Sequence, residues 1–88
     1  MKILFVDDNE LNRYVMEDML EILFEEATVD VYSSAKEVME CDVASYDMIL
    51  SDIDMPEISG FDLYTILIND FNYTKPIIAV TALAVSGD

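Results

Sequence analysis

Met48-Ile49-Leu50-Ser51-Asp52-Ile53-Asp54-Met55-Pro56-Glu57-Ile58-Ser59-Gly60 is the stretch that decides the fold. It opens with an apolar run short enough for a buried strand. A carboxylate, Asp52, ends the run. The Met-Pro and Ser-Gly steps then mark a loop before a new apolar segment begins. This puts Asp52 at the C-terminal mouth of a strand. The same plan occurs earlier, where Ile3-Leu4-Phe5-Val6 runs into Asp7 and Asp8. It occurs again later, where Ile77-Ile78-Ala79-Val80 runs into the hydroxyl of Thr81. Open parallel sheets bind ligands beyond the carboxyl ends of their strands, where the strand order switches. Asp7, Asp8, Asp52 and Thr81 are therefore expected to meet in one crevice.

Between these strands the periodicity turns helical. From Glu10 to about Glu25, Leu11, Val15, Met19 and Leu23 recur every four residues, with Tyr14, Leu20 and Ala27 beside them. That stripe reads as the buried face, and Glu10, Arg13, Glu17, Asp18, Glu21 and Glu25 lie largely opposite. Thr28 to Tyr32 alternates like a half-exposed edge strand. Ser34-Ala35-Lys36-Glu37 has capping-box spacing, which starts a short helix running to about Cys41. A third strand covers roughly Asp47 to Ser51. Gly60 to Asp70 is helical again, with Phe61, Tyr64, Leu67, Ile68 and Phe71 as the expected buried set. Pro76 opens the fourth strand, where proline is tolerated. Alternating strands and helices imply parallel strands joined by right-handed crossovers.

Eighty-eight residues allow one domain. Nineteen acids stand against four bases, for a net charge of −15. Phosphate backbones need clustered Lys and Arg, so nucleic acid and anionic membrane surfaces are poor partners. Cations are better ones. Cys41 stands alone, which rules out an internal disulfide and a cysteine-based metal site. The absence of His removes the usual imidazole acid–base and zinc chemistry. No apolar stretch reaches membrane-spanning length, and the N-terminus is strand-like rather than a signal peptide. A reduced, cytoplasmic location is the expectation.

Taken together, Val6-Asp7-Asp8-Asn9, Ser51-Asp52-Ile53-Asp54-Met55-Pro56 with Gly60, and Pro76-Ile77-Ile78-Ala79-Val80-Thr81-Ala82 resemble the receiver domain of two-component response regulators. Asp8-Asn9-Glu10-Leu11-Asn12-Arg13 is similar to receivers fused to hybrid sensor kinases. The resemblance implies a flavodoxin-like α/β fold, a parallel sheet of order 2-1-3-4 with helices on both faces. It implies Asp52 as phosphoacceptor. Asp7, Asp8 and Asp52 would hold Mg²⁺, with Mn²⁺ or Ca²⁺ as substitutes, and the backbone carbonyl of Asp54 would add a ligand. Thr81 matches the switch hydroxyl, and Ala82 the small residue beside the phosphoryl group. The implied partner is a histidine kinase or histidine phosphotransfer domain, and the implied role is a phosphorelay module rather than an enzyme. The physics agrees. Carboxylates about 4 Å apart repel by about 4 kcal/mol per pair at an effective dielectric near 20. A hard cation with oxygen ligands relieves that repulsion.

The family's lysine after a fifth strand has no counterpart among Lys2, Lys36 and Lys75. Residues 1–88 are therefore expected to be a receiver lacking the fifth strand and last helices. The apolar fourth strand would then invite pairing with a second copy. Two other readings compete. One is an interaction module that takes no phosphate. The other is a haloacid dehalogenase-like phosphatase, in which Asp52 would be nucleophile and Asp54 general acid.

Overall fold

The computed structural model describes residues 1–80. Thr81 and Ala82, expected at the site, lie outside the described residues. Four strands and three helices alternate as β1 (Lys2–Val6), α1 (Glu10–Leu23), β2 (Thr28–Tyr32), α2 (Ala35–Glu40), β3 (Met48–Asp52), α3 (Gly60–Asn69) and β4 (Ile77–Val80). A 3-10 turn at Val43–Ser45 leads into β3. All strand pairs are parallel, in the order β2-β1-β3-β4. This is the expected flavodoxin-like arrangement.

β1 is apolar on both faces because both are covered. Leu4 and Val6 point into a core completed by Ile49, Val38, Leu63 and Leu67. Ile3 and Phe5 point into a second core with Val29, Leu50 and Leu20. α2 and α3 thus cover one side, and α1 the other. Tyr46 lies buried in the first core, where its hydroxyl donates to Asp30 Oδ2 at 2.6 Å.

Each helix starts on a side-chain cap. Asn9 Oδ1 accepts from the Asn12 N–H, Ser34 Oγ from the Glu37 N–H, and Ser59 Oγ from the Asp62 N–H. At α2 the capping box is shifted by one residue. The Glu37 carboxylate reaches back to the backbone and hydroxyl of Ser33, both at 2.7 Å, rather than to the backbone N–H of Ser34.

The buried faces of two helices differ from the sequence reading. On α1 the inward residues are Leu20 and Met16, while Leu11, Tyr14, Val15, Met19 and Leu23 are exposed. On α3 Leu67 is buried as expected and Leu63 joins it, while Phe61, Tyr64 and Ile68, and Phe71 just beyond the helix, are exposed. Both helices carry apolar residues on more than one face, so periodicity alone does not choose which face turns inward.

Candidate functional site

Register builds the site. Val6 lies opposite Ser51, so Asp7 and Asp8 emerge from the sheet next to Asp52. One carboxylate oxygen from each of Asp7, Asp8 and Asp52 lies within 4.8 Å of the others. Asp7 and Asp52 are buried and Asp8 is exposed.

The three carboxylates are held differently. Every polar atom of Asp7 has a partner. Its N–H donates to Tyr32 O at 3.1 Å, and its carbonyl accepts from Arg13 Nη1 at 2.7 Å. Its Oδ1 accepts from the Asn9 N–H at 2.8 Å, and its Oδ2 from Asn12 Nδ2 at 3.2 Å. Among the described residues, no hydrogen bond reaches the Asp8 carboxylate. Burial pushes the Asp52 carboxyl up from its ordinary value of 3.8, and the Asp7 charge adds to the rise. The backbone N–H groups of Asp54 and Ile53 oppose it.

The loop after Asp52 is tied down closely. Met55 is buried, anchoring the chain just past the acid. The Ile58 N–H bonds the Pro56 carbonyl across Glu57, whose φ of 67° is unusual for a residue with a side chain. Turns of this hydrogen-bonding kind with positive φ are rare and strained. The Gly60 N–H donates to Ile53 O at 2.8 Å. A Cβ on Gly60 would stand 2.3 Å from the Asp52 carbonyl oxygen, so only glycine lets α3 start this close to the acid.

Asp54 is exposed, and its carboxylate is not one of the three gathered. Lys75 reaches Ala44 O and Asp47, and Lys2 reaches Ser45, all at the N-terminal end of β3 and away from the acids. Sequence reading missed Asn12, and it placed Arg13 on the solvent face. The available signal was spacing: Asn12 and Arg13 follow the cap by three and four residues, facing the strand end that α1 leaves. A groove of about 250 Å³ opens between α3 and β4, lined by Ile53, Phe61, Tyr64, Ile77 and Ala79 among others. No carboxylate lines it, and the acids lie outside it.

Three acids at the ends of adjacent parallel strands, with a glycine packed against the third, are the arrangement that the sequence resemblance implies. The profile of the response regulator receiver domain matches residues 3–87. The chain belongs to the response regulator receiver domain family. It is 36% identical over 87 residues to the polar-differentiation response regulator DivK of Brucella ovis, covering 98% of this chain and 70% of DivK. It is 35% identical over 89 residues to the osmosensing histidine protein kinase SLN1 of Saccharomyces cerevisiae, covering 96% of this chain and 7% of that kinase. Among solved structures, the response regulator TrrA of Thermotoga maritima in complex with Mg²⁺-BeF superposes with a TM-score of 0.77 at 25% identity, covering 97% of this chain and 74% of TrrA. TrrA in complex with the histidine kinase ThkA gives 0.77 at 28% identity, covering 92% of this chain and 68% of that one. This receiver is thus a module of two-component signalling. Among the described residues, no helix is long and apolar enough to cross a membrane.

Proposed function

We propose that this receiver accepts a phosphoryl group on Asp52 from a phosphohistidine of a histidine kinase or phosphotransfer domain. The gathering of Asp7, Asp8 and Asp52 within 4.8 Å carries the reading. An Asp52 carboxylate oxygen attacks phosphorus, the phosphorus–nitrogen bond breaks, and the imidazole leaves with the electron pair and takes up a proton. Asp7, Asp8 and Asp52 would hold Mg²⁺, or Mn²⁺ or Ca²⁺, with the backbone carbonyl of Asp54. Hard carboxylate oxygens suit such an ion. When bound, it supplies positive charge against the acids and the incoming phosphoryl oxygens. The chain's own part is to place the nucleophile, with the backbone N–H groups of Asp54 and Ile53 working for its ionised form against burial and the Asp7 charge, since phosphoryl transfer asks mainly for positioning and charge stabilisation. Thr81 is the proposed switch hydroxyl, and Ala82 the small neighbour that leaves room for the group. Its chemistry is self-catalysed phosphoryl transfer and hydrolysis only, rather than turnover of a substrate, and it works in the cytoplasm.

Beryllium fluoride with Mg²⁺ tests the reading on the whole chain. It should raise the melting temperature of the wild type and leave that of Asp52→Asn unchanged. Equal responses would overturn the assignment of Asp52. The dehalogenase-like reading leaves Asp7 and Asp8 without a role, and the family match gives it no support. The outer edge of β4 has no partner among the described residues, and its proposed occupant is a second copy pairing strand to strand. Salt should promote this by screening the charge of −15. Sedimentation at low and high salt reads it, and a salt-independent monomer would refute it.

A further inference from the structure

We infer that Asn12 is a positioning residue that divides the acid pair into a fixed carboxylate, Asp7, and a free one, Asp8. The inference rests on the metal site proposed above and concerns how this chain presents it. Both acids leave the same strand end, yet their surroundings are opposite. Asp7 Oδ1 takes the backbone N–H of Asn9, and Oδ2 takes the side-chain amide of Asn12. The next residue, Arg13, holds the Asp7 carbonyl at 2.7 Å. Asp8 is exposed and carries none of these ties.

The Asn9 bond is made by backbone, so any residue except proline can supply it. The Asn12 bond depends on the side chain. Asn12 sits where it can serve because Asn9 caps the helix, its Oδ1 accepting from the Asn12 N–H at 3.0 Å. Asn9-x-x-Asn12-Arg13 is therefore one device: the cap sets the first turn of α1, and that turn grips Asp7. An amide donor suits the place because it holds a carboxylate without competing for the ion. With Asn12 gone, Asp7 Oδ2 loses its donor, and the carboxylate is held through the Asn9 N–H at Oδ1 alone.

Hydrogen-bond partners of ligating carboxylates commonly contribute about ten- to a hundredfold to metal affinity. The test titrates the full chain with Mg²⁺ and follows amide NMR shifts, which read weak binding and report the fold in the same spectra. Asn12→Leu should weaken Mg²⁺ binding about tenfold, because Asp7 keeps the Asn9 bond. Asn12→Ala should do the same, which guards against an effect of leucine's bulk. In an Asp7→Asn background, Asn12→Leu should change the affinity by less than about twofold, since partners acting through one group are not additive. A purely structural Asn12 would give the same loss in both backgrounds. That result, or unchanged affinity in Asn12→Leu and Asn12→Ala, would overturn the inference. Asp8→Asn separates it from the reading beneath it. If Asp8→Asn binds Mg²⁺ as the wild type does, the metal site itself falls, and this inference with it. If Asp8→Asn loses binding while the Asn12 variants keep it, only the role of Asn12 falls.

Discussion

β1 and β4 are written alike and live differently. Lys-Ile-Leu-Phe-Val and Ile-Ile-Ala-Val are both apolar at successive positions, the pattern of a strand covered on two faces. In β1 the pattern is fulfilled, with Ile3 through Val6 fully buried between β2 and β3. In β4 it is not: Ile78 is 44% exposed, and Ile77 and Val80 are half-buried. The difference lies in neighbours rather than residues. β1 has a strand on each side and a helix layer on each face, whereas β4 pairs only with β3 among the described residues. An apolar pattern states what a strand prefers to face. It does not state what covers it.

Energetics should separate the two strands clearly. Phe5→Ala should cost about 4 kcal/mol, since a buried aromatic leaves a cavity. Ile78→Ala should cost about 1 kcal/mol or less, because much of that side chain already meets water. Urea unfolding of both variants measures the gap, and equal losses would break the comparison.

Gly60→Ala tests the tie between the acid end of β3 and α3. A methyl group 2.3 Å from the Asp52 carbonyl oxygen forces backbone to move. A loss of about 3 kcal/mol is expected, toward the high end for overpacking. A loss under 1 kcal/mol would mean that the contact relaxes without strain.

Asp52→Asn sharpens the contrast between buried apolar and buried charged positions. The raised carboxyl of Asp52 holds its proton more tightly folded than unfolded. Its contribution to stability is therefore full below the ordinary carboxyl value of 3.8, and is lost as pH rises through the raised value. In metal-free buffer at neutral pH, Asp52→Asn should gain on the order of 1 kcal/mol, because it removes a buried charge and, secondly, its partly screened repulsion by Asp7. The gain should vanish below the ordinary carboxyl range. Melting curves of both proteins across pH check this, and a gain independent of pH would point to packing instead of charge. The smallest effect belongs to α1, where Leu11→Ser should stay within about 0.5 kcal/mol of wild type, as exposed substitutions do.

Element order and the gathering of the three acids were legible in the sequence. Each strand end was marked by a change of chemistry, and parallel alternation forces such ends to one side of the sheet. The inward faces of α1 and α3 were legible only in part, through Leu20 beside the α1 stripe and Leu67 on α3. Leu11 and Leu20, or Phe61 and Leu63, are equally apolar, so periodicity alone does not choose between them. The donors on Asp7 were hidden for a related reason. Arg13 looked like one more solvated charge until the first turn of α1 placed it against the end of β1.

The central claim is that Asp52 is the acceptor and that its acidic neighbours serve it. The most direct measurement treats the full chain with a small phosphodonor and Mg²⁺, digests it under conditions that preserve acyl phosphates, and maps the adduct by mass spectrometry. One acid-labile adduct is expected on the peptide carrying Asp52, absent from Asp52→Asn and absent when Mg²⁺ is chelated. An acid-stable adduct on Ser51 or Thr81, or one that survives in Asp52→Asn, would contradict it.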